Sequence, residues 1–199
     1  GAAVNLGAKT LTLSGGGTLG NTNALVLNNA SSKLLLNSIT LGSASTSLAN
    51  SGLDVDGDST VTSLTVSHTT PVSIADGKTL SGAITVTAGS VKLGETGTLA
   101  STISMSGGEL DADESLTLSG TLTQSGDIEI DIKAGKTITY TGAAISLGAN
   151  KLALTGGAAS WSTFSNTNAL LLDNADSVLR LNNHVTVGSA SVNVASNEN

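Results

Sequence analysis

Gly77-Lys78-Thr79-Leu80, Gly97-Thr98-Leu99, Glu114-Ser115-Leu116 and Gly135-Lys136-Thr137-Ile138 share one form: a breaker or polar residue, then a short run ending in an apolar residue. Their apolar members, Leu80, Leu99, Leu116 and Ile138, follow one another at 19, 17 and 22 positions. Around them polar and apolar residues alternate, as in Thr10-Leu11-Thr12-Leu13, Ile84-Thr85-Val86 and Ile128-Glu129-Ile130-Asp131-Ile132. A period of two marks strands with one buried face. The abundance of Thr, Val and Ile agrees with that. No segment carries a sustained 3.6-residue stripe, so almost no helix is predicted. Gly-Gly, Ser-Gly, Asp-Gly and Ala-Gly pairs between the strands supply positive φ angles for corners.

A recurrence of roughly 20 residues is the length of one turn of a parallel β-helix with two or three short strands per coil. One coil alone cannot bury its inward Leu, Val and Ile; stacked coils can, at about 4.8 Å per coil. Roughly ten coils would make a rod about 45–50 Å long. A β-sandwich array shares the alternation. Short strands, Gly-rich turns, the near-20 spacing and the shortage of large core residues favour the solenoid. The predicted fold is therefore all-β: a single-stranded parallel β-helix, continuous over residues 1–199.

A longer repeat encloses the short one. Residues 21–30 read NTNALVLNNA and residues 166–175 read NTNALLLDNA, identical at eight of ten positions. Upstream, Ala2–Ala8 matches Ala143–Ala149; downstream, Leu41–Ser45 matches Val187–Ser191. The long repeat thus runs over 2–142, about seven coils, and a second copy begins at 143. Its period drifts from 141 to 146, which places tolerated insertions at coil corners between Gly156 and Asn166 and near His184. Such a chain reads as a length of rod from something longer.

Composition narrows the function classes. Aromatic residues are 2% of the chain: Tyr140, Trp161 and Phe164. That supply suits a thin aliphatic core rather than a wide globular one. A single proline, Pro71, and only 12% charged residues oppose disorder. The net charge is −7 with eight basic residues, which excludes nucleic-acid binding and disfavours an anionic membrane surface. No apolar run approaches the roughly 20 residues needed to span a bilayer. Cysteine is absent, so disulfides and thiolate metal sites are excluded. Long Cys-free chains rich in Ser, Thr, Gly and Asn are compatible with bacterial secretion. Gly1 reads as an internal residue of a longer chain.

Gly82-Ala83-Ile84-Thr85-Val86-Thr87-Ala88-Gly89-Ser90-Val91-Lys92-Leu93-Gly94 resembles the strand repeat of bacterial autotransporter passenger domains. Leu11-Thr12-Leu13-Ser14-Gly15-Gly16-Gly17-Thr18-Leu19 resembles part of the same pattern, and the chain as a whole is similar in style to haemagglutinin-type secreted adhesins. The resemblance implies a right-handed coil, export across the outer membrane and an extracellular or cell-surface role. It implies no catalytic residues.

Several residues are candidate sites. Asp54, Asp56 and Asp58 alternate, and such spacing can begin a calcium loop. The loop pattern fails beyond them, with Gly57 fourth and Thr65 twelfth, so a solvated strand face is the competing reading. Glu109, Asp111 and Asp113 alternate with Leu110 and Ala112; Asp127, Glu129 and Asp131 alternate with Ile128 and Ile130. The two sets lie 18 residues apart, near one coil, which would stack six carboxylates on one wall. That wall would bind cations, dock a partner, or serve as a soluble face that discourages lateral aggregation. Trp161 falls in the stretch peculiar to the second copy and suits either carbohydrate or partner contact or turn packing. Phe164 falls where Leu19 stood and reads as core. His68 and His184 have no neighbouring acid or nucleophile pattern. Thr-x-Thr triplets at 60, 85, 121 and 137 are too irregular for an ice-binding array.

The expectation is a structural or adhesive segment of a large secreted bacterial surface protein, without catalytic residues and without a cofactor beyond possible calcium. Its partners would be other copies of itself, the rest of its own chain, and glycans or proteins of host or neighbouring cells, with no insertion of this segment into a membrane. A self-assembling extracellular filament is the alternative. A carbohydrate-active β-helix enzyme is third, disfavoured by acidity and a single arginine, Arg180.

Overall fold

A computed structural model describes residues 4–43 and 45–194. Among these residues the chain is all strand and turn, with no helix. Every strand pairing is parallel. Parallel strands need long crossovers, and here each crossover is the rest of a coil. The fold is a β-solenoid.

Three faces wind around one core. The first is a nine-stranded sheet that begins at Thr10–Ser14, Lys33–Asn37 and Gly52–Val55 and ends at Ile128–Ile132, Lys151–Gly156 and Val178–Asn182. The second face starts at Thr18–Asn21 and the third at Val4–Asn5 and Leu25–Leu27; the two belong to one fifteen-stranded sheet. In Ser59–Val66, Thr79–Val86, Ser162–Leu172 and Val185–Val194 a single strand crosses the bend between these faces. Gly82 makes one such bend. Its φ is +119°, and a Cβ there would lie 1.7 Å from the Val61 carbonyl oxygen. Only glycine fits so close an approach.

The first face gives nine rungs, seven of them within the long repeat. Ten coils were expected from the spacing; corner insertions lengthen the last coils, so that Ile128 pairs with Leu152, 24 residues on, and Leu152 with Leu179, 27 on. The core is one continuous aliphatic column, with Leu34, Leu53, Leu80, Leu99, Ile130 and Leu154 fully buried. The inward column on the second face runs Leu80, Leu99, Leu118, Tyr140 rather than through Leu116 and Ile138. Leu116 and Ile138 form a neighbouring column that continues to Phe164, which is core as expected. The difference is a slip of two residues, which alternation permits because it leaves every side chain on the same face.

The two copies of the long repeat fold alike. Val4 pairs with Leu25, Leu11 with Leu34 and Leu19 with Leu41 in the first copy. Their counterparts Ile145 and Leu170, Leu152 and Leu179, Phe164 and Val187 pair in the same way in the second.

Candidate functional site

The outer side of the first face carries two acidic runs stacked one coil apart. Leu110 and Ala112 point inward over Ile130 and Ile132, which sends Glu109, Asp111, Glu129 and Asp131 outward. Glu109 pairs in register with Glu129, and Asp111 with Asp131. The register is 20 residues, not the 18 assumed when the two acidic runs are laid end on end. Gly126 helps to set it, because a Cβ there would lie 2.2 Å from the Ser106 carbonyl oxygen, 20 residues earlier. The expected wall of six carboxylates is therefore a block of four. Asp113 and Asp127 leave it: Asp113 lies 3.6 Å from Lys133, and Asp127 accepts from the Lys151 backbone N–H at 2.9 Å and its ammonium at 3.0 Å.

Within the block, one carboxylate oxygen from each of Glu109, Asp111 and Asp131 lies within 4.8 Å of the others. Lys92 donates to Asp111 at 2.6 Å, and the Thr155 hydroxyl donates to Glu129. Partial burial, followed by the neighbouring carboxylates, pushes Glu109 and Asp131 above the usual carboxylate range. Asp127, held by the two Lys151 donors, is pushed down. The block is thus a concentrated negative patch with one ammonium at its edge.

Charge compensation runs along the rod axis. Lys33 reaches Asp54 at 2.5 Å, Lys92 reaches Asp111, Lys133 reaches Asp113, Lys136 reaches Glu114 and Lys151 reaches Asp127. Each pair spans about one coil. Asp54, Asp56 and Asp58 do not converge. Asp54 is tied to Lys33, Asp56 is exposed in a turn, and Asp58 accepts from the Thr79 backbone N–H at 2.9 Å in the next coil. Among the described residues, the acidic grouping tight enough for an ion is the Glu109, Asp111, Asp131 one.

A groove runs beside the acidic block, lined by Asp111, Asp113, Asp131, Lys133, Ala158 and Asn183. The insertion peculiar to the second copy supplies part of its wall. Trp161, in the same insertion, is 63% exposed. Its ring meets that of His184 edge-on, with centroids 5.3 Å apart and planes at 82°. The sequence contains both residues but not this contact, which arises because they lie 23 positions apart, about one coil. His68 instead accepts or donates a hydrogen bond with the adjacent Ser67.

No family description, no curated protein and no solved structure matches this chain.

Proposed function

We propose that this chain is a rigid structural and adhesive length of a large secreted bacterial surface protein. Nine rungs in unbroken parallel register support that reading, because a ladder of this kind resists bending and holds side chains at fixed intervals along its wall. The first-face wall supplies contact chemistry in a carboxylate block at Glu109, Asp111, Glu129 and Asp131, with Asp113 and Asp127 at the adjoining strand ends, and the corner after Lys151–Gly156 adds the exposed Trp161. Carboxylates accept hydrogen bonds from sugar hydroxyls, and an indole ring offers an apolar surface with a polar handle. Each contact is weak, and repetition along a tandem rod raises the total affinity. Glycans or proteins of host or neighbouring cells are the partners this wall suits.

The test is retention of protein-coated beads on glycan and cell-surface arrays at rising coating density. Retention that climbs steeply with density and drops in Trp161→Ala supports multivalent adhesion. No retention at any density, or cleavage of the glycans, contradicts it.

A further inference from the structure

The outer side of the third face is a grid of hydroxyl groups. Ser47, Thr65, Thr85, Ser104 and Thr123 pair in register over successive coils and form its central column. Two residues earlier in their strands, Thr102 and Thr121 make a second column beside Ala83. Two residues later, Thr87, Ser106 and Ser125 make a third, their backbone N–H groups bonding to the coil before at 2.9, 3.0 and 2.8 Å. Between the columns Ile84, Val86, Ile103, Met105 and Leu122 turn inward and are buried, which sends the hydroxyl residues outward. The grid carries no charge. Residues 59–75, 79–91, 97–108 and 115–126 contain no Lys, Arg, Asp or Glu, and the charges between these stretches lie on the first face and the corner that follows it. Along the chain the Thr-x-Thr triplets are irregular; in space those at Thr85 and Thr121 share this grid, while those at Thr60 and Thr137 belong to the second face.

We infer that this grid is an ice-binding face, whose ligand is crystalline water. Its positions repeat at about 4.8 Å from coil to coil and about 6.6–6.8 Å from column to column. Both repeats are close to those of the oxygen atoms on faces of ice. Waters bonded to the hydroxyls at about 2.7–2.8 Å can therefore stand where lattice waters stand. The backbone ladder fixes the grid before any ligand arrives, and β-branching restricts the rotamers of Thr65, Thr85, Thr102 and Thr123, so little ordering entropy is lost on contact. Each hydroxyl contributes weakly, and many act together. Other occupants fit less well. Protein partners are gripped chiefly through Trp, Tyr and Arg, and sugar rings stack on aromatic rings; the stretches that build the grid contain none of these residues. Without charge the face holds neither ions nor anionic surfaces. The inference goes beyond the adhesive reading and does not use the acidic wall.

The experiment is an ice recrystallisation assay on the full chain, with a non-binding protein at the same concentration as the reference. The expected result is a mean crystal size at least about five-fold smaller than in the reference after annealing, from many-point contact with the crystal surface. Thr85→Tyr together with Ser104→Tyr places two bulky rings on the grid and should abolish the effect. Thr85→Ala with Thr123→Ala, which only removes hydroxyls and methyls from the same column, should weaken it and stands in if the tyrosines disturb folding by circular dichroism. Trp161→Ala, on a different corner of the rod, should leave it unchanged. Crystals as large as in the reference overturn the inference, as does equal inhibition by the parent and the grid variants. Retention on a microcrystalline neutral polysaccharide that the grid variants abolish, without any effect on ice, also overturns it and reassigns the face to sugar.

Discussion

The ring of Tyr140 stacks on the ring of Phe164, with centroids 6.2 Å apart and planes 17° from parallel. These are the chain's sole Tyr and sole Phe, and they meet across the boundary between the two long repeats. Tyr140 does more than fill space. Its hydroxyl donates to the Ala143 carbonyl at 2.7 Å and accepts from the Leu122 backbone N–H at 3.2 Å. Burial pushes its phenol up from the usual value. The two residues should therefore respond differently to substitution. Tyr140→Phe strands a buried N–H and a carbonyl and costs about 1–3 kcal/mol. Phe164→Leu restores the residue found at Leu19 and costs about 1 kcal/mol. Denaturant melts compare each variant with the parent, and a Tyr140→Phe chain as stable as the parent would show that the hydroxyl contributes nothing.

Glycines divide by position. Gly82→Ala drives a methyl group into the Val61 carbonyl and strains a positive φ, so it destabilises by ~3 kcal/mol or more. Gly94→Ala meets nothing closer than the Ser73 hydroxyl at 3.9 Å, and stays within about 0.5 kcal/mol of the parent. Comparable melting temperatures for the two would place the bend elsewhere.

Stability should pass through a maximum in mildly acid solution. Glu109 and Asp131 are raised in the folded state, so their ionisation opposes folding at neutral pH. That opposition shrinks as pH falls through their folded values, and is gone below the ordinary values of 4.5 and 3.8. Asp127 and Asp173 are lowered, Asp127 by the Lys151 backbone N–H and ammonium and Asp173 by the Ser146 hydroxyl. They contribute stability above 3.8 that is lost as pH falls through their folded values. Thermal melts in low salt should rise on moderate acidification and fall on further acidification. Asp131→Asn flattens the rise. A steady loss of stability from neutral pH downward would refute this balance.

Lys92 is the ammonium at the edge of the carboxylate block, donating to Asp111. Lys92→Met leaves the block without it. The melting temperature should drop in low salt, and the drop should shrink as salt screens the repulsion. A loss that is independent of salt would assign Lys92 a packing role instead.

Alternation and glycine corners made the solenoid legible in the sequence, because inward Leu and Ile must recur once per coil wherever coils share one core. Register was less legible. Leu116 in place of Leu118, and Glu109 set against Asp127 in place of Glu129, are both slips of two. A slip of one would bury charge and is excluded by the pattern; a slip of two is decided by corner geometry such as Gly126 over Ser106. The acidic block was visible as composition, but its size depended on that register. Trp161 stood out as an insertion, yet its contact with His184 depends on the length of one particular coil.

The rod reading is tested most directly by small-angle scattering on chains carrying one, two and three tandem copies of residues 2–142 ahead of residues 143–199. Seven rungs per copy at about 4.8 Å each require the maximum dimension to grow by roughly 34 Å with every added copy, at constant cross-section. A cross-section that widens while length stays fixed would contradict a rod of stacked repeats.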